Sequence, residues 1–149
     1  MNKVPIKIIT KDDRDDLIPA YATKDAAGAD LKADILDNID LAPHESILVP
    51  TGIFLEIPKG YEVQIRPRSS LALKHKVTVL NTPGTIDQDY RGEIKVILIN
   101  HSNEIFEITP KMRIGQMIVA PIYQAEFIKV EKLSLSTRGE GGFGHTGTH

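Results

Sequence analysis

Val77-Thr78-Val79 and Glu93-Ile94-Lys95-Val96-Ile97-Leu98-Ile99-Asn100 flank the stretch Asn81-Thr82-Pro83-Gly84-Thr85-Ile86-Asp87-Gln88-Asp89-Tyr90-Arg91-Gly92. On both flanks the apolar residues alternate with period two (Val77, Val79; Ile94, Val96, Leu98), the pattern of a strand with one buried face. The residues between them therefore read as the tip of an elongated hairpin. Pro83-Gly84 suits a type II turn, with Pro presetting φ at the second position and Gly accepting a positive φ at the third. The tip also carries a carboxylate able to activate water, Asp87, and a ring able to pack on a sugar, Tyr90, so it reads as a binding loop. Ile97 and Ile99 make the second face of the following strand apolar too. That predicts a cover on both sides, one of which could be another subunit.

Outward from this hairpin the same alternation recurs at Leu31/Ala33/Ile35, Ile53/Leu55/Ile57, Val63/Ile65, Phe106/Ile108 and Ile128/Val130. Turn signals at Ala42-Pro43, Pro50-Thr51-Gly52, Pro58-Lys59-Gly60, Ser102-Asn103 and Thr109-Pro110 separate these runs at the spacing of an antiparallel sandwich or barrel. The predicted class is all-β. One short helix is expected over Ser69-Ser70-Leu71-Ala72-Leu73-Lys74-His75, with the serines capping its first turn. From Ser134 the chain becomes rich in Gly, Ser and Thr, which predicts a β-rich domain over 1–133 and a flexible arm over 134–149. Gly139 to Gly144 fits Gly-x-Gly-x-x-Gly, but the dinucleotide reading needs a following helix and the sequence ends here.

Composition narrows the function classes. With 149 residues and no Cys, the chain can bury a core without staples and has no thiolate metal site or disulfide. A net charge of −2 gives no footprint for duplex nucleic acid, and few aromatics argue against a single-strand stacking platform. No apolar run has the length of a signal peptide or a membrane span, so a cytoplasmic location with no membrane partner is expected.

Three segments could receive phosphate. Arg68-Ser69-Ser70 places a guanidinium, two hydroxyls and backbone N–H groups at the start of the predicted helix. Arg113-Ile114-Gly115-Gln116-Met117 offers close backbone approach and a Gln amide. In Ala27-Gly28-Ala29-Asp30-Leu31 the acid would face phosphate usefully only through a divalent metal, because bare like charges repel.

Together with the hairpin and Arg138-Gly139-Glu140-Gly141-Gly142-Phe143-Gly144, these segments occur in the order of the five motifs of the trimeric deoxyuridine triphosphatases, which the chain resembles over nearly its whole length. The resemblance implies a homotrimer of jelly-roll-like subunits with active sites shared between chains. It implies that Asn81 and backbone groups near Thr85, Ile86 and Lys95 hold uracil without space for a 5-methyl group. Tyr90 would exclude a 2′-hydroxyl, and Asp87 would be the general base for water attacking the α-phosphorus of dUTP, releasing dUMP and pyrophosphate. Arg68, Ser69, Ser70 and Gln116 would hold the phosphates, Asp30 would hold Mg²⁺ through water, and Arg138, Phe143 and Gly144 would belong to a closing lid. Ser70 stands where many members have Gly, and Arg-Ser-Ser is the pattern of the related deoxycytidine triphosphate deaminases. Those carry a catalytic Glu at the position of Ile97. The alternatives are thus a deaminase relative or a nucleotide-sensing regulatory module.

Overall fold

The computed structural model describes residues 1–149 as a sandwich of antiparallel sheets that do not close into a barrel. The strands are β1 (Lys7–Thr10), β2 (Ala20–Tyr21), β3 (Ala29–Lys32), β4 (Ile39–Leu41), β5 (Ser46–Glu56), β6 (Tyr61–Arg66), β7 (Val77–Val79), β8 (Gly84–Ile86), β9 (Glu93–Asn100), β10 (Phe106–Ile108) and β11 (Arg113–Pro121). The helix α1 spans Ser69–His75, as the sequence predicts. One sheet runs β1-β5-β9-β7, the second β2-β3-β11-β6-β8, and β4 pairs with β10 alone. Two 3₁₀ turns, Lys11–Asp13 and Asp15–Leu17, were not foreseen; the second buries Leu17.

The period-two reading of the hairpin flanks holds. Val77, Val79, Ile94, Val96 and Leu98 are all buried, and β7 pairs with β9 in the register Val77↔Asn100, Val79↔Leu98. They share one core with Leu31, Val63, Ile65 and Ile114 of the second sheet. Within the single chain the outer face of β9 is only partly covered: Ile97 and Ile99 are half-buried, and Leu48, opposite Ile97, is exposed.

Three local expectations fail for identifiable reasons. Pro50-Thr51-Gly52 is not a turn but a bulge inside the continuous strand β5, whose register against β9 shifts between Pro50 and Phe54. Pro is admitted to a strand at such an irregularity, and the buried Thr51 hydroxyl donates to the Ile94 carbonyl. Gly52, at φ +70°, lies so close to Leu17 and to Asp34, the partner of Arg14, that no side chain fits. Pro83-Gly84 makes no type II turn: Thr82–Pro83 is cis, Gly84 lacks a positive φ, and the chain enters β8 directly. Ile128 and Val130 form no strand, because β11 is the last element and residues 122–133 have no strand of this chain beside them.

Ion pairs decorate the edges. Lys111 holds the Asp16 carboxyl below the usual range, and Lys7, opposite Glu56 in the β1–β5 ladder, does the same to Glu56. Depressed folded values mean stability that is present above the ordinary carboxylate range and is lost as pH falls through the folded pKa; at these exposed positions the effect is small and screened by salt.

Asn100 ends β9 fully buried. Its amide donates to the Leu41 carbonyl (3.0 Å) and the Glu104 carbonyl (2.7 Å), and its oxygen accepts from the Ser102 backbone (2.9 Å) and hydroxyl (2.7 Å). Asn100→Ala should therefore cost about 2–4 kcal/mol by stranding two carbonyls, read as a lower urea midpoint at unchanged m-value.

Candidate active site

The hairpin tip does more than turn. After β7 leaves the first sheet, β8 joins the second as its edge, in the register Val63↔Ile86, Gln64↔Thr85, Ile65↔Gly84, before the chain returns to the first sheet as β9. This crossing opens a cavity lined by Leu48, Asn81, Thr85, Ile86, Asp87, Tyr90, Glu93, Lys95 and Ile97. Six of these were picked from the sequence. Asp87 follows β8 directly, and the Tyr90 backbone N–H donates to the Asp87 carbonyl at 3.1 Å, a one-turn return that fixes their spacing. The Tyr90 phenol lies against Gly92 and donates to the Glu93 carbonyl at 2.9 Å. Glu93 was not foreseen as a lining residue. One of its carboxylate oxygens is buried without a hydrogen-bond partner, a feature that only the packing of the cavity reveals.

A second cavity sits at the other edge of β6, lined by residues that include Gly28, Asp30, Arg68, Ser69, Ser70 and Gln116. Strand pairing brings them together from distant parts of the chain: Gln116 on β11 lies opposite both Asp30 on β3 and Arg66 at the end of β6. Arg68 is the residue preceding the first turn of α1, and no serine side chain makes a capping hydrogen bond, so both hydroxyls remain available. A guanidinium, two hydroxyls and a helix start lining one space are groups suited to receiving an anion.

Asp30 is the only acid in this cavity, and both its oxygens are engaged by arginines. Arg68 Nε lies 3.2 Å from Oδ1 and Arg113 Nη1 lies 3.3 Å from Oδ2, while Arg68 also donates to the Arg113 carbonyl at 3.4 Å. Nothing in the segment Arg113–Met117 signals that Arg113 reaches across the β3–β11 pair to Asp30. No group of three or more His or acidic side chains forms a metal cage. A single carboxylate among phosphate-binding groups fits instead an ion that arrives with the phosphates and keeps much of its water.

The two cavities share no lining residue. Arg138, Phe143 and Gly144 join neither. Hydrogen bonds beyond Ile122, which donates to the Gly60 carbonyl, are local to the arm, as in Arg138 Nε to the Gly141 carbonyl at 2.6 Å, and the Phe143 ring is wholly exposed.

The model of the dUTPase family matches residues 15–147. The chain belongs to the dUTPase family. It is 53% identical to the deoxyuridine 5′-triphosphate nucleotidohydrolase of Fusobacterium nucleatum over 99% of both chains, and 60% identical to that of Nautilia profundicola over 93% of this chain and 96% of the other. Among solved structures it resembles Staphylococcus bacteriophage 80alpha dUTPase with dUPNHPP, at a TM-score of 0.78 and 25% identity over 99% of this chain and 100% of that one. A variant of the phage phi11 dUTPase of S. aureus, described with a coordinated structural Mg(II) ion, shares the fold at a TM-score of 0.73 and 20% identity, over 86% of this chain and 97% of that one.

Removing the Asp30 carboxylate should unlock both arginines. Asp30→Ala is expected to lower folding stability by about 1–2 kcal/mol, the cost of parting a half-buried charged pair, and adding salt should narrow the difference from the parent in urea titrations.

Proposed function

We propose that this protein hydrolyses dUTP to dUMP and pyrophosphate, limiting uracil incorporation into DNA and supplying dUMP for thymidylate synthesis. The observation that carries this reading is the family's hairpin folded into a lined cavity, with Asp87 at its rim and Tyr90 fixed beside it. Asn81 and the backbone of β8 read the uracil edge, and pairing of β8 with β6 keeps that backbone from yielding to a 5-methyl group. The Tyr90 ring, tied through its hydroxyl, occupies the space a 2′-hydroxyl needs. Asp87 orients a water and takes its proton as the water attacks the α-phosphorus in line, with pyrophosphate leaving. Arg68, Ser69, Ser70 and Gln116 gather the phosphate chain. Mg²⁺ bound with the substrate would neutralise phosphate oxygens, with Asp30 receiving its water shell.

The working form in this reading is a homotrimer with shared sites. Three observations support it: base and phosphate cavities with no residue in common, an incompletely covered β9 face, and a row of exposed apolar side chains (Tyr123, Phe127, Ile128, Leu133, Leu135) after the last strand. Residues 134–149 then serve as an arm that brings Arg138 to the terminal phosphate and Phe143 over the base. Ile97 in the base cavity offers no group to move protons, which disfavours deamination.

Product analysis with dUTP and dCTP in parallel tests the substrate: dUMP and pyrophosphate are expected from dUTP alone, and release of ammonia from dCTP would overturn the reading. Asp87→Asn should lower kcat by roughly 10²–10⁴-fold with little change in dUTP binding. Trimers mixed from Asp87→Asn chains and chains ending at Thr137 should regain part of the activity that each parent lacks, since some sites then combine an intact Asp87 with an intact arm. Mixed trimers confirmed by mass but as inactive as both parents would rule out sharing.

A further inference from the structure

Gln116 occupies the central strand of the five-stranded sheet and lines one cavity with Arg68, Ser69 and Ser70. Its Nε2 donates to the Pro67 carbonyl at 2.9 Å. Its Oε1 lies over Gly28, where an added Cβ would stand 2.0 Å from Oε1, 2.8 Å from Cδ and 3.1 Å from the Gln116 Cβ. The last distance matters most. The Gln116 Cβ is fixed to a backbone paired on both sides, so the amide cannot make room by sliding along the sheet; it must swing away and release Pro67.

Pro67 is the hinge between β6 and α1. It has no N–H, so its carbonyl is its only backbone hydrogen-bonding group, and Gln116 holds it. The next residue, Arg68, is extended (φ −94°, ψ 132°), and its carbonyl accepts the first backbone bond of α1, from Ala72 at 3.2 Å. No side chain caps this helix, so the Gln116 amide supplies from another strand the fixation that a cap would give.

We propose that Gln116 is a positioning residue that sets Arg68, Ser69 and Ser70 through the Pro67 carbonyl, and that Gly28 is required because only a residue without Cβ leaves the Gln116 amide its place. The inference deepens the proposed function and rests on it for the phosphate ligand. It assigns the amide a task in the free protein, before any phosphate arrives.

Calorimetric binding of pyrophosphate and of deoxyuridine to the intact protein separates the two cavities and needs no turnover. Gly28→Ala and Gln116→Ser should each weaken pyrophosphate binding about tenfold or more while deoxyuridine binds as before. The double variant should bind pyrophosphate no more weakly than Gln116→Ser alone, because a serine lacks the amide that the new Cβ displaces and the remaining Cβ–Cβ distance of 3.1 Å asks for a shift of only a few tenths of an ångström. Multiplied penalties would mean that Gly28 meets the ligand itself and would overturn the proposal. Hydrogen exchange supplies the second arm: without ligand, the Ala72 amide should exchange faster in Gln116→Ser than in the parent, and unchanged exchange would reduce Gln116 to a direct ligand. If Gly28→Ala does not fold, Gln116→Ser still decides through exchange and the pyrophosphate–deoxyuridine contrast. Failure of the parent to hydrolyse dUTP, with this coupling intact, would overturn the substrate reading and leave the strut standing.

Discussion

The crossing of the chain from β7 in one sheet to β8 in the other and back to β9 is the constraint on which the remaining architecture depends. Edge pairing with β6 holds the tip, and the ladder with β5 and β7 holds its return. Two sheets are thereby joined by a segment that pairs into each of them, and a cavity opens between its limbs. A free hairpin tip would have offered the same side chains without fixing their separation. Rigidity of this kind is what a site needs to reject a ligand only one methyl group too large, because a yielding wall would let the group in at little cost.

Strand β6 then couples this cavity to the second. One of its edges carries β8 and the other β11, and its end passes through Pro67 into α1. The two cavities thus flank one six-residue strand, and its two edges bring together residues far apart in sequence.

Much of the fold was legible because it rests on simple periodicity. The buried Val77, Val79, Ile94, Val96 and Leu98 follow period two without exception, and α1 has the predicted bounds. The failures occur where a local signal serves a distant partner. Pro50-Thr51-Gly52 has turn composition, but the Thr51 hydroxyl and the close packing of Leu17 on Gly52 make it a bulge, and neither partner is visible from the local sequence. Ile128 and Val130 alternate as strands do, yet no edge of this chain receives them. For the site, residue types in recognisable segments were enough to collect Asn81, Asp87 and Tyr90 in one place and Arg68, Ser69, Ser70 and Gln116 in another. Pairing of Asp30 with Arg113 and burial of a Glu93 oxygen depend on strand register and side-chain packing, which the motifs do not encode.

The chain after β11 leaves the domain at Ile122 and makes only local bonds thereafter. From Ile122 to Phe143 it can span roughly 75 Å when extended, several times the radius of about 15 Å expected for a domain of this size. In the trimer proposed above, reach therefore would not select which site Phe143 visits. As a tether, the segment sets an effective concentration, and because the entropy of closure grows only by about 0.6 kcal/mol per doubling of length, that concentration is insensitive to a few added or lost residues. In the closing movement proposed above, selectivity for one docking place would have to come from the contacts at the end of the arm, so the spacing between Pro121 and Arg138 would be free to drift in sequence while Arg138 and Phe143 would not.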